Sequence, residues 1–133
     1  MLSATAEYAV RAVLFLGRSY GARATPADEI AAAIGAPANY LSKTLNALGK
    51  AGIVTSTAGR FGGFSLAVAP RSLTLEQVID VFEAPQAATL CLLGNRPCDR
   101  SEPCTAHRQW ASITESYHGA LRSTTVADLL GGG

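Results

Sequence analysis

All three cysteines of the 133-residue chain, and one of its two histidines, fall in a single stretch, CLLGNRPCDRSEPCTAHRQW, residues 91–110. The spacing is Cys91-x6-Cys98-x5-Cys104-x2-His107. Three is an odd number, so a disulfide framework would leave one thiol over. Three thiolates and an imidazole suit soft or borderline metals, and zinc and an iron-sulfur cluster are both chemically allowed. A structural zinc site usually contains a tight pair of cysteines two to four residues apart, and none is present here. Wider spacings suit the larger span of a cluster. Unligated, redox-active thiols are the third option. Cys104 and His107, three residues apart, would share one face of the first turn of a helix that follows.

Two other uses of such residues can be weighed from composition. A cysteine nucleophile with His107 as its base would make an enzyme, but no substrate-binding pattern accompanies the pair. A small ferredoxin-like electron carrier would also gather cysteines, but most of its clusters use four. The opening run LSATAEYAVRAVLFLG carries Glu7 and Arg11, has no basic leader, and is too short and too charged to span a bilayer. The expectation is a cytoplasmic protein with reduced thiols, no membrane association and no catalytic activity.

The elements that must position this loop emerge from charge and periodicity. Residues 1–71 hold seven Lys/Arg against three acids, a net +4, whereas residues 72–133 hold four against seven, a net −3. The basic half is the candidate nucleic-acid face. Within it, residues 3–18 place Ala6, Val10, Val13 and Gly17 on one helical face, broadened by Ala9, Leu14 and Leu16. Thr25 followed by Pro26, Asp28 and Glu29 predicts an N-cap, a proline at the first helical position and acids at the positive dipole end. Ile30, Ala31 and Ile34 give that short helix its core face, and Gly35 ends it. In PANYLSKTLNALGKAGIV, Leu41, Leu45 and Leu48 recur at helical spacing and must face inward. The outer face then carries Asn39, Lys43, Asn46 and Lys50, flanked by Tyr40 and Ser42, and Gly52 stops the helix.

Two short helices joined by a tight turn, the second polar and basic outside, describe a helix-turn-helix or an ordinary solvated helix face. The next segment favours the former. IVTS and FSLAVA are strand-like runs around TAGRFGG, a hairpin whose tip carries Arg60. A basic hairpin directly after a recognition helix is a wing, with Arg60 placed for a minor groove or a phosphate. Thr74 and Gln77 then form a capping-box pattern ahead of Leu75, Val78, Ile79 and Phe82, a helix that Pro85 terminates. Further on, Ala106, Trp110, Ile113, Tyr117, Ala120, Thr124 and Ala127 recur at alternating spacings of four and three. That heptad seam suits packing along a partner helix, or an amphipathic helix within one chain. The fold class is therefore mainly α with a small β-hairpin wing: a winged helix-turn-helix over residues 1–85, a cysteine-bearing loop over 86–104 and a long helix over 105–127.

AEYAVRAVLFL, NYLSKTLNALGKAGIVTSTAGRFGGFSLA and the three-cysteine loop together resemble the Rrf-type winged-helix transcriptional regulators, the family with IscR-like and NsrR-like branches. The resemblance implies a homodimer formed through the last long helix and bound to double-stranded palindromic promoter DNA. Asn39, Tyr40, Ser42, Lys43 and Arg60 are the DNA-contacting candidates. In the sensing branch the three cysteines hold an iron-sulfur cluster. CTAHRQW is similar to the IscR-like arrangement, which implies a 2Fe-2S cluster on Cys91, Cys98, Cys104 and His107. The NsrR-like alternative is a 4Fe-4S cluster completed by an acidic residue of the first helix, near the position of Glu7; an ion pair with Arg11 is the competing use of that carboxylate. The chain departs from IscR by one extra residue between its first two cysteines, and by Ser42 where IscR has an acidic residue.

Overall fold

The computed structural model of the protein describes residues 2–83 and 107–131. The described elements run α1 (Ala4–Arg18), α2 (Ala27–Ile34), α3 (Ala38–Lys50), β1 (Val54–Thr57), β2 (Gly63–Leu66), α4 (Leu75–Ile79), α5 (His107–Ser123) and α6 (Val126–Gly131). A single 3-10 turn, Pro70–Ser72, joins β2 to α4. No helix among the described residues is long and apolar enough to cross a membrane.

α1 is the axis of the core. Ser3 caps it, accepting from the Ala6 N–H at 3.1 Å, and Ala6, Ala9, Ala12, Val13, Leu16 and Gly17 are buried along it. The inward face is rotated slightly from the expected one: Ala12 is fully buried, whereas Val10 and Leu14 are only partly so. Alanine at three buried positions lets other elements approach α1 closely. Ile30 and Ala31 of α2 and Leu41, Leu45 and Leu48 of α3 fill the same core. Each of the three α3 leucines contributes roughly 1.5–3 kcal/mol through burial.

Thr25 does not cap α2 as expected. The N-cap is Pro26, which makes no side-chain cap hydrogen bond, because the Thr25 backbone is engaged elsewhere. Its N–H donates to the Phe64 carbonyl at 2.9 Å and its carbonyl accepts from the Phe64 N–H at 2.8 Å. The segment before α2 thus adds a bridge to the edge of the β1–β2 hairpin, tying the wing to the helix-turn-helix. The hairpin itself is antiparallel, pairing Val54 with Leu66 and Thr57 with Gly63. Gly63 makes this approach possible. Its φ of +142° disfavours any side chain, and a Cβ there would collide with the Thr25 carbonyl and lie 2.6 Å from the Pro26 nitrogen.

The expected capping box of α4 is present: the Gln77 N–H donates to Thr74 Oγ1 at 3.2 Å and the Thr74 N–H to Gln77 Oε1 at 2.9 Å. The expected single helix over residues 105–127 is instead two. α5 ends at Ser123, and Thr125 restarts the chain by accepting from the Asp128 N–H at 3.1 Å while donating its own N–H to Asp128 Oδ2 at 2.9 Å. The break has a physical cause. Val126 is fully buried in the winged-helix core, and its N–H donates to the Leu73 carbonyl at 2.8 Å. Reaching that core requires the chain to leave the α5 axis, so α6 folds back onto α1, with Val126 and Leu130 against Gly17.

Gly63→Ala is expected to lower the free energy of unfolding by about 2 kcal/mol or more. Urea unfolding would show a lower midpoint at unchanged slope. A variant as stable as the parent would mean that the Thr25 bridge can shift without loss.

Candidate nucleic-acid interface

Seating Leu41, Leu45 and Leu48 against α1 turns the opposite side of α3 outward. Asn39, Lys43, Asn46 and Lys50 are all exposed, as the periodicity predicts. The flanking residues are less free. Ser42 is half-buried and its hydroxyl donates to the Ala38 carbonyl at 3.1 Å, leaving its oxygen as an acceptor. The Asn39 side-chain oxygen accepts from the Tyr40 N–H at 3.0 Å, leaving its amide to donate outward. Tyr40 turns towards α1: its ring meets Tyr8 edge-on, with centroids 5.6 Å apart at 73°, and its hydroxyl hydrogen-bonds Thr5. Thr44, a position that leucine spacing alone does not mark, is buried and bonds back to the Tyr40 carbonyl at 3.2 Å. Thr5, Tyr40, Lys43, Thr44 and Phe82 line an open cleft of about 260 Å³ beside the start of α3.

The wing places Arg60 at its tip, exposed, as expected. It also places Phe61 there, 72% exposed, with the Arg60 guanidinium carbon 5.8 Å from its ring centroid. Sequence reasoning passed over Phe61. The available signal was an aromatic between an arginine and two turn glycines, where it could have no core to enter.

Cys91, Cys98 and Cys104 lie outside the described residues. So does the side chain of His107, whose backbone opens α5. Among the described residues no cluster of three or more His, Cys, Asp or Glu side chains could hold a metal ion. Glu7 is paired with Arg11 at 2.7 Å, and both side chains are about half exposed. α5 contacts the winged unit through two acids. Arg122 approaches Glu76 of α4 at 3.8 Å, and the buried Tyr117 hydroxyl has no hydrogen-bond partner among the described residues. Burial, reinforced by the negative charge of Glu83, pushes the Tyr117 phenol above its ordinary value. Glu83 in turn accepts from the Ser3 N–H at the start of α1, at 2.8 Å. The outer side of α5 exposes Ile113, 53% accessible, and Ala120.

A helix-turn-helix with a basic wing, joined to a long helix, is the architecture in which comparison with known proteins becomes decisive. Residues 2–132 match Rrf2, described as an iron-dependent transcriptional regulator. The chain belongs to the Rrf2 family.

An rrf2-like HTH-type transcriptional regulator of Rhodobacter capsulatus is 33% identical, the match covering 100% of this chain and 94% of that one. Among solved structures, CymR, the global cysteine regulator of B. subtilis, superposes with a TM-score of 0.85 at 26% identity, over 100% of this chain and 98% of CymR. T. potens IscR does so with a TM-score of 0.77 at 28% identity, over 98% and 85%. This Rrf2-family chain is thus a winged-helix transcriptional regulator rather than an enzyme, and its target is DNA. The family membership makes the outward face of α3 the candidate recognition surface of a winged-helix fold, with the hairpin as wing.

For this Rrf2 protein, Lys43→Ala and Arg60→Ala should each weaken binding to its target duplex. Where the lost group contacts a phosphate, the slope of log affinity against log salt should fall by about one counterion. Fluorescence anisotropy across a salt series reads both quantities. Unchanged binding by both variants would contradict the assignment of helix and wing.

Proposed function

We propose that the chain is a homodimeric regulator that reads palindromic promoter DNA and reports iron-sulfur status, redox state or nitric oxide through a cluster held by Cys91, Cys98, Cys104 and His107. The observation that carries this reading is the donor set itself. Every thiol of the chain and an imidazole lie within residues 91–107. Three thiolates and a neutral imidazole fit iron in a 2Fe-2S cluster, and the likeness to IscR supports that nuclearity. A 4Fe-4S cluster completed by Glu7 is less well supported, because that carboxylate is already paired with Arg11. The likeness to the global cysteine regulator CymR supports a second reading, in which the cysteines act as thiols without a metal. A cytoplasmic location, where thiols stay reduced, agrees with either.

When bound, a cluster supplies a group whose oxidation, nitrosylation or loss changes what its ligands hold in place. The chain's own residues supply the route onward. The segment leaves the winged unit at Glu83, which anchors the Ser3 N–H and faces Tyr117 of α5. It returns at His107, the first residue of α5. One turn along α1 from Ser3, Thr5 and Tyr8 hold Tyr40 at the start of α3. A rearrangement of the segment that moves Glu83 or α5 therefore bears on the recognition helix through α1. In a dimer it would change the spacing of two such helices, and spacing decides which half-sites are engaged together.

The exposed side of α5 supports a homodimer along that helix. Ile113→Glu should bury an unpaired charge there and dissociate the dimer. Sedimentation at micromolar concentration reads this, and a variant that stays dimeric would place the interface elsewhere.

Anaerobically purified protein is expected to be coloured, with iron and sulfide in equal amounts. Cys91→Ala, Cys98→Ala and Cys104→Ala should each abolish the colour, His107→Ala should change the visible spectrum and its lability, and Glu7→Ala should leave both intact. Bleaching by Glu7→Ala with an unchanged His107→Ala spectrum would favour the 4Fe-4S alternative. A colourless protein containing neither iron nor zinc would favour the thiol reading.

A further inference from the structure

We propose that Phe61 is a DNA-contacting residue of the wing, an apolar wedge that enters the minor groove beside Arg60. The proposal rests on the reading that α3 and the hairpin face DNA, and adds a contact that charge and hydrogen bonding do not supply.

The tip of the hairpin is a closed turn. The Gly62 N–H donates to the Gly59 carbonyl at 3.0 Å, which makes Arg60 and Phe61 its two central residues. The turn is tight enough to require glycine on either side of its two central residues. A Cβ on Gly62 would collide with the Thr57 carbonyl and lie 2.9 Å from the Gly59 carbonyl oxygen, and Gly59 has a φ of +100°. Two large side chains are therefore displayed from the apex of a closed hairpin turn. The Arg60 guanidinium lies over the Phe61 ring at 5.8 Å, within the range of about 6 Å at which a cation is attracted to a ring face.

Phe61 contributes nothing to the core. At 72% exposure it is more accessible than any other exposed large hydrophobic residue of the described structure, including Ile113 at 53% and Tyr20 at 50%. A protein-docking surface would need a contiguous apolar patch. The neighbours here are Ser56, Thr57, Ala58 and Gly59, exposed and polar or small. One aromatic ring stacked with a guanidinium suits a narrow groove instead. The minor groove offers negative potential to Arg60, and it offers deoxyribose walls and base steps to the ring. The turn is continuous with the wing that the family's architecture directs at DNA, so no second surface is required. Packing a ring against or between base steps makes affinity depend on how easily that step deforms, a source of specificity separate from the hydrogen bonds of α3.

The test uses the full-length protein and a duplex that it selects from a randomised pool, with Phe61→Ala, Phe61→Leu, Arg60→Ala and Lys43→Ala compared across a salt series. Phe61→Ala should weaken binding roughly tenfold to a hundredfold, the loss of one buried aromatic contact, with the salt slope unchanged and the DNA bend reduced in a gel permutation assay. Phe61→Leu should retain most of the affinity. Replacing a flexible pyrimidine–purine step under the wing with a stiff A-tract should weaken the parent more than Phe61→Ala. Parental affinity and bend for Phe61→Ala, alongside a loss for Arg60→Ala, would overturn the wedge and leave the wing intact. A Phe61→Ala loss that carries the same reduced salt slope as Arg60→Ala would also overturn it, since the ring would then only hold the arginine. Failure to select any duplex, or parental binding by all four variants, would overturn the underlying assignment of helix and wing.

Discussion

The structure depends on one constraint: Leu41, Leu45 and Leu48 must leave water together, and they do so in a core that the alanine-lined face of α1 shares. Because these leucines recur at helical spacing, burying them fixes the rotation of α3 about its own axis. Asn39, Lys43, Asn46 and Lys50 are then outward without any interaction to hold them there. The candidate DNA-reading surface is thus obtained as the complement of a core. α1 also carries the small residues that admit Val126 and Leu130 from the far end of the chain, so the same helix organises both the recognition helix and the closing segment.

The wing is held by a different principle. Its two short strands would be marginal alone, and what secures them is the approach of Thr25, a residue of the connection between α1 and α2. Glycine at 63 is the condition for that approach. The hairpin is therefore built onto the helix-turn-helix rather than appended to it, which explains how a tip only a few residues long can present Arg60 and Phe61 in a defined direction.

Among the described residues, polar groups of Glu76, Glu83, Tyr117 and Arg122 lie where α5 and the end of α4 meet. Glu83 bonds the first residue of the α1 cap and sits beside a buried phenol; Arg122 meets Glu76 at the edge of α4. Such contacts are individually weak when exposed. They are also easily exchanged. The T-shaped Tyr8–Tyr40 pair completes the connection to α3 with an interaction sensitive to orientation.

The helix-turn-helix, the basic outer face of α3, the hairpin with Arg60 at its tip and the capping box of α4 were legible in the sequence, because each follows from local periodicity or from turn and cap chemistry within a few residues. The clustering of Cys91, Cys98, Cys104 and His107 was legible for the same reason, although their arrangement lies outside the described residues. What only the tertiary structure decided involves partners distant in the chain. Thr25 looked like a cap but serves as a strand edge, since Phe64, nearly forty residues on, claims its backbone. The seam through Thr124 and Ala127 read as one continuous helix, yet Val126 breaks it by entering a core built from the other end of the chain. Tyr40, read as a polar flank, is turned towards Thr5 and Tyr8. Local pattern specifies which face of an element is apolar; it does not specify which of several available groups will meet it, because that choice is made by packing among all the elements at once.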